Sequence, residues 1–449
     1  MMRRKDEKIY KVGTLSYTSF GVFVLFSWML GGGFCYHLME NLMPQLLPIT
    51  LKQLNASNAL IGLLAGSIPA AINMILCPII SFKSDRTRSR WGRRLPYILF
   101  TAPFVVLFLI LTGFSPQIGA YLASCFGFLN PTQMALLCIS IFSVGFVMFN
   151  MFVASVFYYL FADVVPAQFM GRFMAAFNLA GAAAAFVFAR FVIRHAETHA
   201  GMIYTVISLI YLIAFTLVCL NVKEGEYPPL TEEEKNATVL ESVKSYFTDC
   251  FCGKFYIFIF SATALNAVSV LCRNMFNVFF ARENIGLNLA EYGIIMSYVG
   301  VSGIVVAFPF GWLSDKITPL RMNIIGIFLV VITNLYGFFL ARDYTSFFVV
   351  SMLLGLVYAI QTISTIPMLV ELFPKDKFGQ FCSAQAMMRS VVLIVGNYGA
   401  GLFLDIMKNY RYLFIWDAFF TGIALIMMLY VYGIWKRKNN LKHSPPGIP

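Results

Sequence analysis

The chain has 449 residues, of which 59% are hydrophobic and 12% are charged. A water-soluble domain carries about 25% charged residues, so this composition excludes a protein whose surface faces water alone. The net charge of +12 does not indicate nucleic-acid binding, because the basic residues stand in short clusters between apolar runs. We therefore predict an integral membrane protein without a nucleic-acid partner.

Apolar runs long enough to cross a bilayer follow one another along the chain. A spanning helix needs about 20 apolar residues. The sequence predicts twelve such helices, at residues 20–48, 59–82, 96–114, 135–162, 173–193, 202–220, 255–280, 292–313, 322–340, 346–372, 380–403 and 412–434. The fold class expected from this pattern is an all-α membrane protein.

Polar segments divide these helices into two groups of six. We expect end segments at 1–19 and 436–449, helical bundles at 20–220 and 255–435, and a cytoplasmic linker at 221–254. Apolar residues repeat every four positions in the linker, at Val239, Val243 and Phe247, which indicates a short amphipathic helix on the membrane surface. The simplest interpretation of the linker is a tether between the two groups.

The distribution of basic residues predicts the orientation of the chain. Lys and Arg concentrate in alternate connections, such as 83–94, and membrane proteins keep such connections in the cytoplasm. Because the number of spans is even, we expect both termini on the cytoplasmic side. No glycosylation sequon stands clear of the bilayer on the opposite side, which favours a bacterial inner membrane.

Both groups of helices repeat one pattern where their second helix ends. Asp85 and Arg86 end the second span, and Asp315 and Lys316 end the eighth, each pair after a serine. This pattern resembles the G-x-x-x-D-R-x-G-R-R motif of the major facilitator superfamily, with Gly311 matching its first glycine in the second copy and a serine there in the first. The resemblance implies the fold of that superfamily, with two six-helix bundles that give a solute access to each side in turn.

The motif has a physical interpretation as a gate. An aspartate at a helix end can pair with arginine across the loop and with the N-terminal dipole of a neighbouring helix. Such a network can close the cytoplasmic side in one state and break in the other, although basic loops also serve simply to orient the chain. We predict gating roles for Asp85, Arg86, Arg93, Arg94, Asp163, Gly311, Asp315, Lys316 and Glu371.

The first copy extends into a longer run, from Ser84 to Tyr97, that contains Arg-Trp-Gly-Arg-Arg. This run, and the Asp-Val-Val-Pro sequence that begins at Asp163, are similar to the glycoside–pentoside–hexuronide cation symporters and the sucrose-transporter-like proteins. The resemblance implies a sugar-type solute. It also implies a difference, since melibiose-type members bind their cation through two aspartates where this chain has Asn73 and Cys77. That sodium site is not expected here.

Ionisable residues inside spans are costly, by about 2.5–3.5 kcal/mol at the bilayer centre, and usually serve a transport pathway. Arg389 lies deep in the eleventh span and is predicted to donate hydrogen bonds to solute or to partner a titrating acid, unless it forms a structural ion pair. Glu40 lies well inside the first span, with His37 one turn before it. We predict that Glu40 couples transport to a proton with His37 as its partner, unless it lies at the outer headgroup level.

Other polar residues inside spans can bind a solute or simply join helices. Sugars are bound by amide and carboxylate hydrogen bonds together with an aromatic ring, and the alternative is hydrogen bonding between helices. The predicted solute-binding residues are Trp28, Asn73, Asn150, Gln361, Gln385, Arg389 and Asn397. The charged residues in the outer thirds of spans are expected to extend to the interface: Arg190, Arg194, Arg273, Asp405 and Asp417.

The sequence has no Walker motif, metal-ligand cluster or GxSxG elbow, so no enzyme activity, cofactor or metal is predicted. The expected function is secondary transport of a small polar solute by a monomer that contacts membrane lipids. One alternative is a facilitator or exporter of an amphipathic compound. Another is a sensor or lipid scramblase built on a transporter fold.

Overall fold

A computed structural model describes residues 9–127, 129–225, 227, 254–374 and 378–442. Within these residues, twelve helices are long and apolar enough to cross a membrane, which confirms the predicted number of spans. In chain order they are Ser19–Gln53, Asn58–Arg86, Leu95–Gly113, Pro131–Val164, Ala167–His195, Ala200–Asn221, Lys254–Asn284, Leu289–Val306, Pro319–Leu340, Tyr344–Leu372, Gln380–Met407 and Tyr410–Arg437. The protein is therefore an integral, multi-pass membrane protein.

The first span extends beyond its predicted end at residue 48. It consists of the helices Ser19–Glu40 and Leu42–Gln53, which are separated at Asn41. Pro48 lies inside the second of these helices. A proline removes one hydrogen bond of a helix, and the helices of a membrane protein tolerate this loss when neighbouring groups satisfy the backbone. The span therefore continues beyond Pro48 to Gln53.

Two elements were not predicted because both are too short to span a bilayer. Antiparallel strands Tyr10–Val12 and Leu15–Tyr17 form a hairpin before the first span. The helix Ser115–Phe126 lies between the third and fourth spans and ends at Gly127, whose φ of 70° is a conformation that favours glycine. By contrast, the predicted amphipathic helix of the linker lies outside the described residues.

The described residues form two compact units. The first unit lies within Met1–Ala56 and Ala71–Val239, and the second within Ser57–Ala70 and Leu240–Pro449. The sequence-based division at the linker does not anticipate that Ser57–Ala70 belongs with the second unit. The second span thus contributes residues to both units.

Each unit has an apolar interior built from several helices. In the first unit, the ring of Phe161 lies 4.9–5.0 Å, between centroids, from the rings of Phe157, Phe173 and Phe177. In the second unit, a buried cluster joins the seventh, ninth, tenth, eleventh and twelfth spans. Its members include Phe260, Leu320, Met368, Phe381 and Met428. Packing of this kind holds the polar residues described next at fixed positions.

Candidate functional site

The loop between the second and third spans carries a network of opposite charges. We call Asp85, Arg93, Arg94, Asp163 and Glu224 the loop cluster. Arg93 donates to both carboxylate oxygens of Asp163, from Nε at 3.1 Å and from Nη2 at 2.5 Å. Arg94 donates from Nε to Asp163 at 3.1 Å and from Nη2 to Asp85. The two guanidinium groups therefore connect the end of the second span to the end of the fourth.

Glu224 follows the sixth span and forms hydrogen bonds with the start of the third span. Its carboxylate accepts the backbone N–H groups of Arg93, Arg94 and Leu95 at 2.9, 2.8 and 2.7 Å. The first N–H groups of a helix have no partner within the helix, and a carboxylate satisfies them while matching the helix dipole. Glu224 was not among the predicted residues, because several carboxylates lie in that polar stretch and nothing local indicates which one reaches the helix.

Gly92 explains one feature of the Arg-Trp-Gly-Arg-Arg run. Its φ is +103°, a conformation that side chains with a Cβ rarely adopt. A Cβ at this position would also lie 2.5 Å from the carboxyl carbon of Glu224. The glycine is thus required both by the backbone turn and by the approach of Glu224.

Tyr227 completes the loop cluster from the linker side. Its hydroxyl donates to Glu224 at 3.2 Å, and the guanidinium carbon of Arg93 lies 4.2 Å from the centre of its ring. Burial raises the pKa of Tyr227, and the charges of Asp163 and Glu224 raise it further. Burial lowers the pKa of Arg93, but the hydrogen bond and charge of Asp163 outweigh this and leave it raised. Arg93 therefore remains charged, and Tyr227 neutral, at physiological pH.

The remaining predicted gating residues are placed differently. Arg86 stacks on Phe82, with its guanidinium carbon 3.6 Å from the ring centre. Lys316 lies 3.8 Å from the centre of the Trp312 ring. A Cβ at Gly311 would meet no described atom within 4 Å, so close packing does not require a glycine there. The side chain of Asp315 lies outside the described residues.

Glu371, at the end of the tenth span, repeats part of the arrangement in the second unit. Its carboxyl group accepts a hydrogen bond from the backbone of Leu320, the second residue of the ninth span, and interacts electrostatically with Arg321. A carboxylate at the end of one helix thus meets the start of the preceding one, as Asp163 meets Arg93 and Arg94 in the first unit.

Glu40 lies at the end of the helix Ser19–Glu40, but not at the end of the span. The hydroxyl of Tyr36 donates to Glu40 Oε1 at 2.6 Å, and His37 Nδ1 lies 3.5 Å from Glu40 Oε2. Tyr36 is fully buried, whereas 42% of the Glu40 side chain is exposed. The carboxyl group is therefore held by two neighbours and remains accessible to a proton.

The position of His37 depends on a glycine in the fifth span. A Cβ at Gly181 would lie 2.9 Å from His37 Cδ2, and the ring of Phe177 packs against His37 at 4.8 Å between centroids. His37 Nε2 is buried and has no hydrogen-bond partner among the described residues. The imidazole is thus fixed beside Glu40 with one nitrogen available.

Three of the predicted solute-binding residues have buried polar atoms that find no partner in the described part of the chain. These atoms are Asn150 Oδ1 in the first unit and Gln361 Nε2 and Asn397 Oδ1 in the second. The other candidates are more exposed: Trp28 and Gln385 are half-buried, and Asn73 and Arg389 are exposed. Cys77 Sγ, one turn after Asn73, lies 3.7 Å from the hydroxyl of Tyr159. The two positions where melibiose-type members have aspartates therefore hold neutral side chains in this chain.

Arg273 and Asp417 form a buried ion pair, which sequence analysis did not anticipate. Arg273 donates to Asp417 Oδ2 from Nε at 3.2 Å and from Nη2 at 3.0 Å. Tyr358 donates to the same oxygen, Thr421 donates to Oδ1 at 3.2 Å, and Arg273 also donates to Asn334. The expectation that Arg273 and Asp417 extend to the interface was wrong, because each satisfies its charge inside the protein.

Asp405 also differs from its expected behaviour. Its two carboxylate oxygens accept the backbone N–H groups of Asn58 and Ala59 at 2.9 and 2.8 Å. Gly401, one turn earlier, allows this approach, since a Cβ there would lie 2.1 Å from the carbonyl oxygen of Asn58. Asp405 therefore caps the start of the second span within the second unit instead of extending into solvent.

Solved structures of transporters share this fold. A bacterial homolog of the human lysosomal transporter Spinster matches with a TM-score of 0.65 and 13% identity, over 95% of this chain and 98% of that one. A D-xylose–proton symporter matches with a TM-score of 0.62 and 13% identity, over 92% and 97% of the two chains. At such low identity these likenesses define the fold alone.

Sequence comparisons agree with the fold. The family model of the Major Facilitator Superfamily matches residues 259–448. The sucrose transport protein SUT1 of Oryza sativa subsp. japonica is 36% identical over 108 residues, which are 24% of this chain and 19% of that protein. A membrane-associated transporter protein of Mus musculus is 32% identical over 123 residues, 27% of this chain and 21% of that protein.

The chain thus spans about a fifth of the length of these curated relatives. The family model covers less than half of this chain, and the fold is shared with solved structures of transporters. Over the matched residues the chain resembles sucrose transport proteins.

Proposed function

We propose that the protein is a secondary transporter that moves a small polar solute, a sugar or glycoside, by alternating access of two six-helix bundles. The observation that carries this proposal is the set of buried amide atoms on Asn150, Gln361 and Asn397 that lack partners among the described residues. A buried polar atom without a partner costs about 1–3 kcal/mol, so a ligand that supplies the partner is favoured. Sugar hydroxyls both donate and accept, and can therefore serve amide oxygens and nitrogens alike.

The remaining solute-binding candidates extend this chemistry. Trp28 offers an aromatic face to the apolar side of a sugar ring, and Asn73 and Gln385 offer further amides. Arg389 supplies donors from within the eleventh span. The sucrose and xylose carriers named above support a sugar as the solute class, through a partial sequence likeness and a shared fold respectively.

Thermal stabilisation of the purified protein across a panel of sugars and glycosides, at two pH values, tests the solute. A ligand at a hundredfold excess over its Kd adds about 2.7 kcal/mol to the free energy of unfolding. We expect one sugar to raise the Tm, and the variant Asn150→Ala to lose that response. A panel without any response would count against a sugar and favour another solute or a protein that does not transport.

We further propose that Glu40 carries the coupling proton, with His37 as its partner. The contact to Tyr36, the proximity of His37 and the partial exposure of the carboxyl group support this role. Glu40→Gln keeps the shape of the side chain but cannot exchange a proton. We expect this variant to lose gradient-driven uptake in proteoliposomes while retaining exchange of labelled for unlabelled solute.

Glu197→Gln is the matched control, because Glu197 is an exposed glutamate between the fifth and sixth spans. It should transport like the unmodified protein. Full gradient-driven uptake by Glu40→Gln would exclude this residue as the coupling site. If an uncoupler does not reduce solute uptake by the unmodified protein, the protein is a facilitator.

The loop cluster is proposed to act as the cytoplasmic gate, together with Arg86, Gly311, Asp315, Lys316 and Glu371. Contacts of Arg93 and Arg94 with the carboxylates of Asp163 and Asp85 at helix ends support this role. We also propose that both termini are cytoplasmic, that the protein is a monomer, and that it resides in a bacterial inner membrane.

A further inference from the structure

A cavity of about 780 Å³ lies in the first unit, where the third span begins and the sixth span ends. Two kinds of residues line it, basic residues of the loop and linker and apolar residues of the two helices. The lining comprises Arg88, Ser89, Arg90, Trp91, Gly92, Leu95, Leu99, Cys219, Leu220, Val222, Lys223, Glu224, Gly225 and Tyr227. Charge and apolar surface therefore meet in one concave site.

The polar part of the cavity is positively charged. Arg88, Arg90 and Lys223 line it with a single carboxylate, that of Glu224. Both oxygens of Glu224 are already engaged by the backbone N–H groups at the start of the third span. Arg90 and Lys223 are exposed, so their charges are available to an anion.

The apolar part follows the two helices away from the loop. Leu95 and Leu99 stand one turn apart on the third span, and Leu220 lies in the last turn of the sixth. Leu220 is 71% exposed and Trp91 is 64% exposed. Tryptophan is typical of the boundary between headgroups and hydrocarbon, so the cavity lies at the depth where a lipid phosphate meets its acyl chains.

We propose that this cavity binds an anionic phospholipid, with the phosphate at Arg90 and Lys223 and an acyl chain along Leu99 and Leu220. Basic pockets between spanning helices recognise lipid headgroups in this way. A soluble anion would bind the basic side chains but would leave the apolar lining of the cavity exposed. A zwitterionic lipid would be attracted less strongly by the excess positive charge. The joint presence of both surfaces favours a charged lipid.

The test compares lipid binding to the full-length, detergent-purified protein and to the double variant Arg90→Gln with Lys223→Gln. The probes are phosphatidylglycerol, phosphatidylcholine with the same acyl chains, and soluble glycerol phosphate. Native mass spectrometry counts the lipids retained, and the Tm reports stabilisation. We expect phosphatidylglycerol to be retained and to raise the Tm, and at least tenfold weaker binding by the double variant.

Arg172→Gln with Arg342→Gln is the control, because both arginines are exposed and neither lines the cavity. It removes the same net charge and should bind phosphatidylglycerol like the unmodified protein. Equal binding of phosphatidylcholine would overturn the proposal, since headgroup charge would then be irrelevant. Equal stabilisation by glycerol phosphate, or unchanged lipid binding by the cavity variant, would overturn it as well.

Discussion

Each unit contains a group of opposite charges, and the two groups differ in their surroundings. In the loop cluster, the side chain of Asp85 is 50% exposed beside an Arg94 that is 5% exposed. In the second unit, Asp417 is fully buried and its partner Arg273 is 13% exposed. The first group stands at helix ends and includes the half-exposed carboxylate of Asp85, whereas the second joins the interiors of the seventh and twelfth spans.

The difference in exposure affects how much free energy it costs to break each ion pair. Near water, a broken pair regains its hydration, so breaking it costs about 0–1 kcal/mol. Inside the protein, an unpaired charge has no such compensation, and separating the pair is strongly unfavourable. We therefore propose that the contacts of Asp85 in the loop cluster open and close, and that Arg273, Asp417, Tyr358 and Asn334 hold four helices together.

The largest effect is expected from Asp417→Ala, because it leaves Arg273 buried without its partner. Removing one member of a buried ion pair costs about 3–5 kcal/mol. Chemical denaturation of the purified protein measures this loss as a change in the free energy of unfolding. The double variant Arg273→Met with Asp417→Leu removes both charges and should recover most of the loss. A loss below about 1 kcal/mol, typical of an exposed pair, would refute the clamp.

An intermediate effect is expected from Gly92→Ala in the loop cluster. The new Cβ would meet Glu224 and force a residue into an unfavourable backbone conformation, at a cost of about 1–3 kcal/mol. The same denaturation measurement applies. Gly171→Ala is the matched control, since a Cβ there meets nothing within 4 Å and the residue lies in a helix. The control should be neutral or stabilising, and equal behaviour of the two variants would exclude the tight contact at Gly92.

The smallest effect is expected from Arg93→Lys, which keeps the charge but loses the paired hydrogen bonds to Asp163. We expect a loss of about 1 kcal/mol, because lysine keeps the charge and Arg94 still donates a hydrogen bond to Asp163. The loss should shrink further in 1 M salt, where the screening length falls to about 3 Å. The loss caused by Asp417→Ala should not change with salt. Equal salt dependence of the two variants would show that the two regions do not differ as described.

Patterns within the sequence were sufficient to predict much of the fold. The spacing of apolar runs predicted twelve spans, and the repeat around Asp85 and Asp315 pointed to the superfamily whose family model matches residues 259–448. Asp85 pairs with Arg93 and Arg94, which are at most nine residues away in the same short loop. Local sequence therefore contains most of the information that such a contact requires.

Contacts between distant segments could not be predicted in this way. Arg273 and Asp417 are 144 residues apart, and each alone resembles a charge that extends to the interface. Glu224 reaches Arg93 across 131 residues from a stretch with several carboxylates. Which helix faces meet is decided by the packing of whole spans, and no residue pattern within a single span specifies it.

Solute-driven proton movement in proteoliposomes tests the central claim most directly. The protein would be reconstituted with a pH-sensitive dye inside the vesicles, and each sugar of the panel added outside without any imposed gradient. We expect one sugar to acidify the interior in a saturable manner, and Glu40→Gln to abolish this signal while still exchanging that sugar. Saturable uptake of that sugar without any proton movement would contradict proton coupling, and the absence of any solute flux would contradict transport itself.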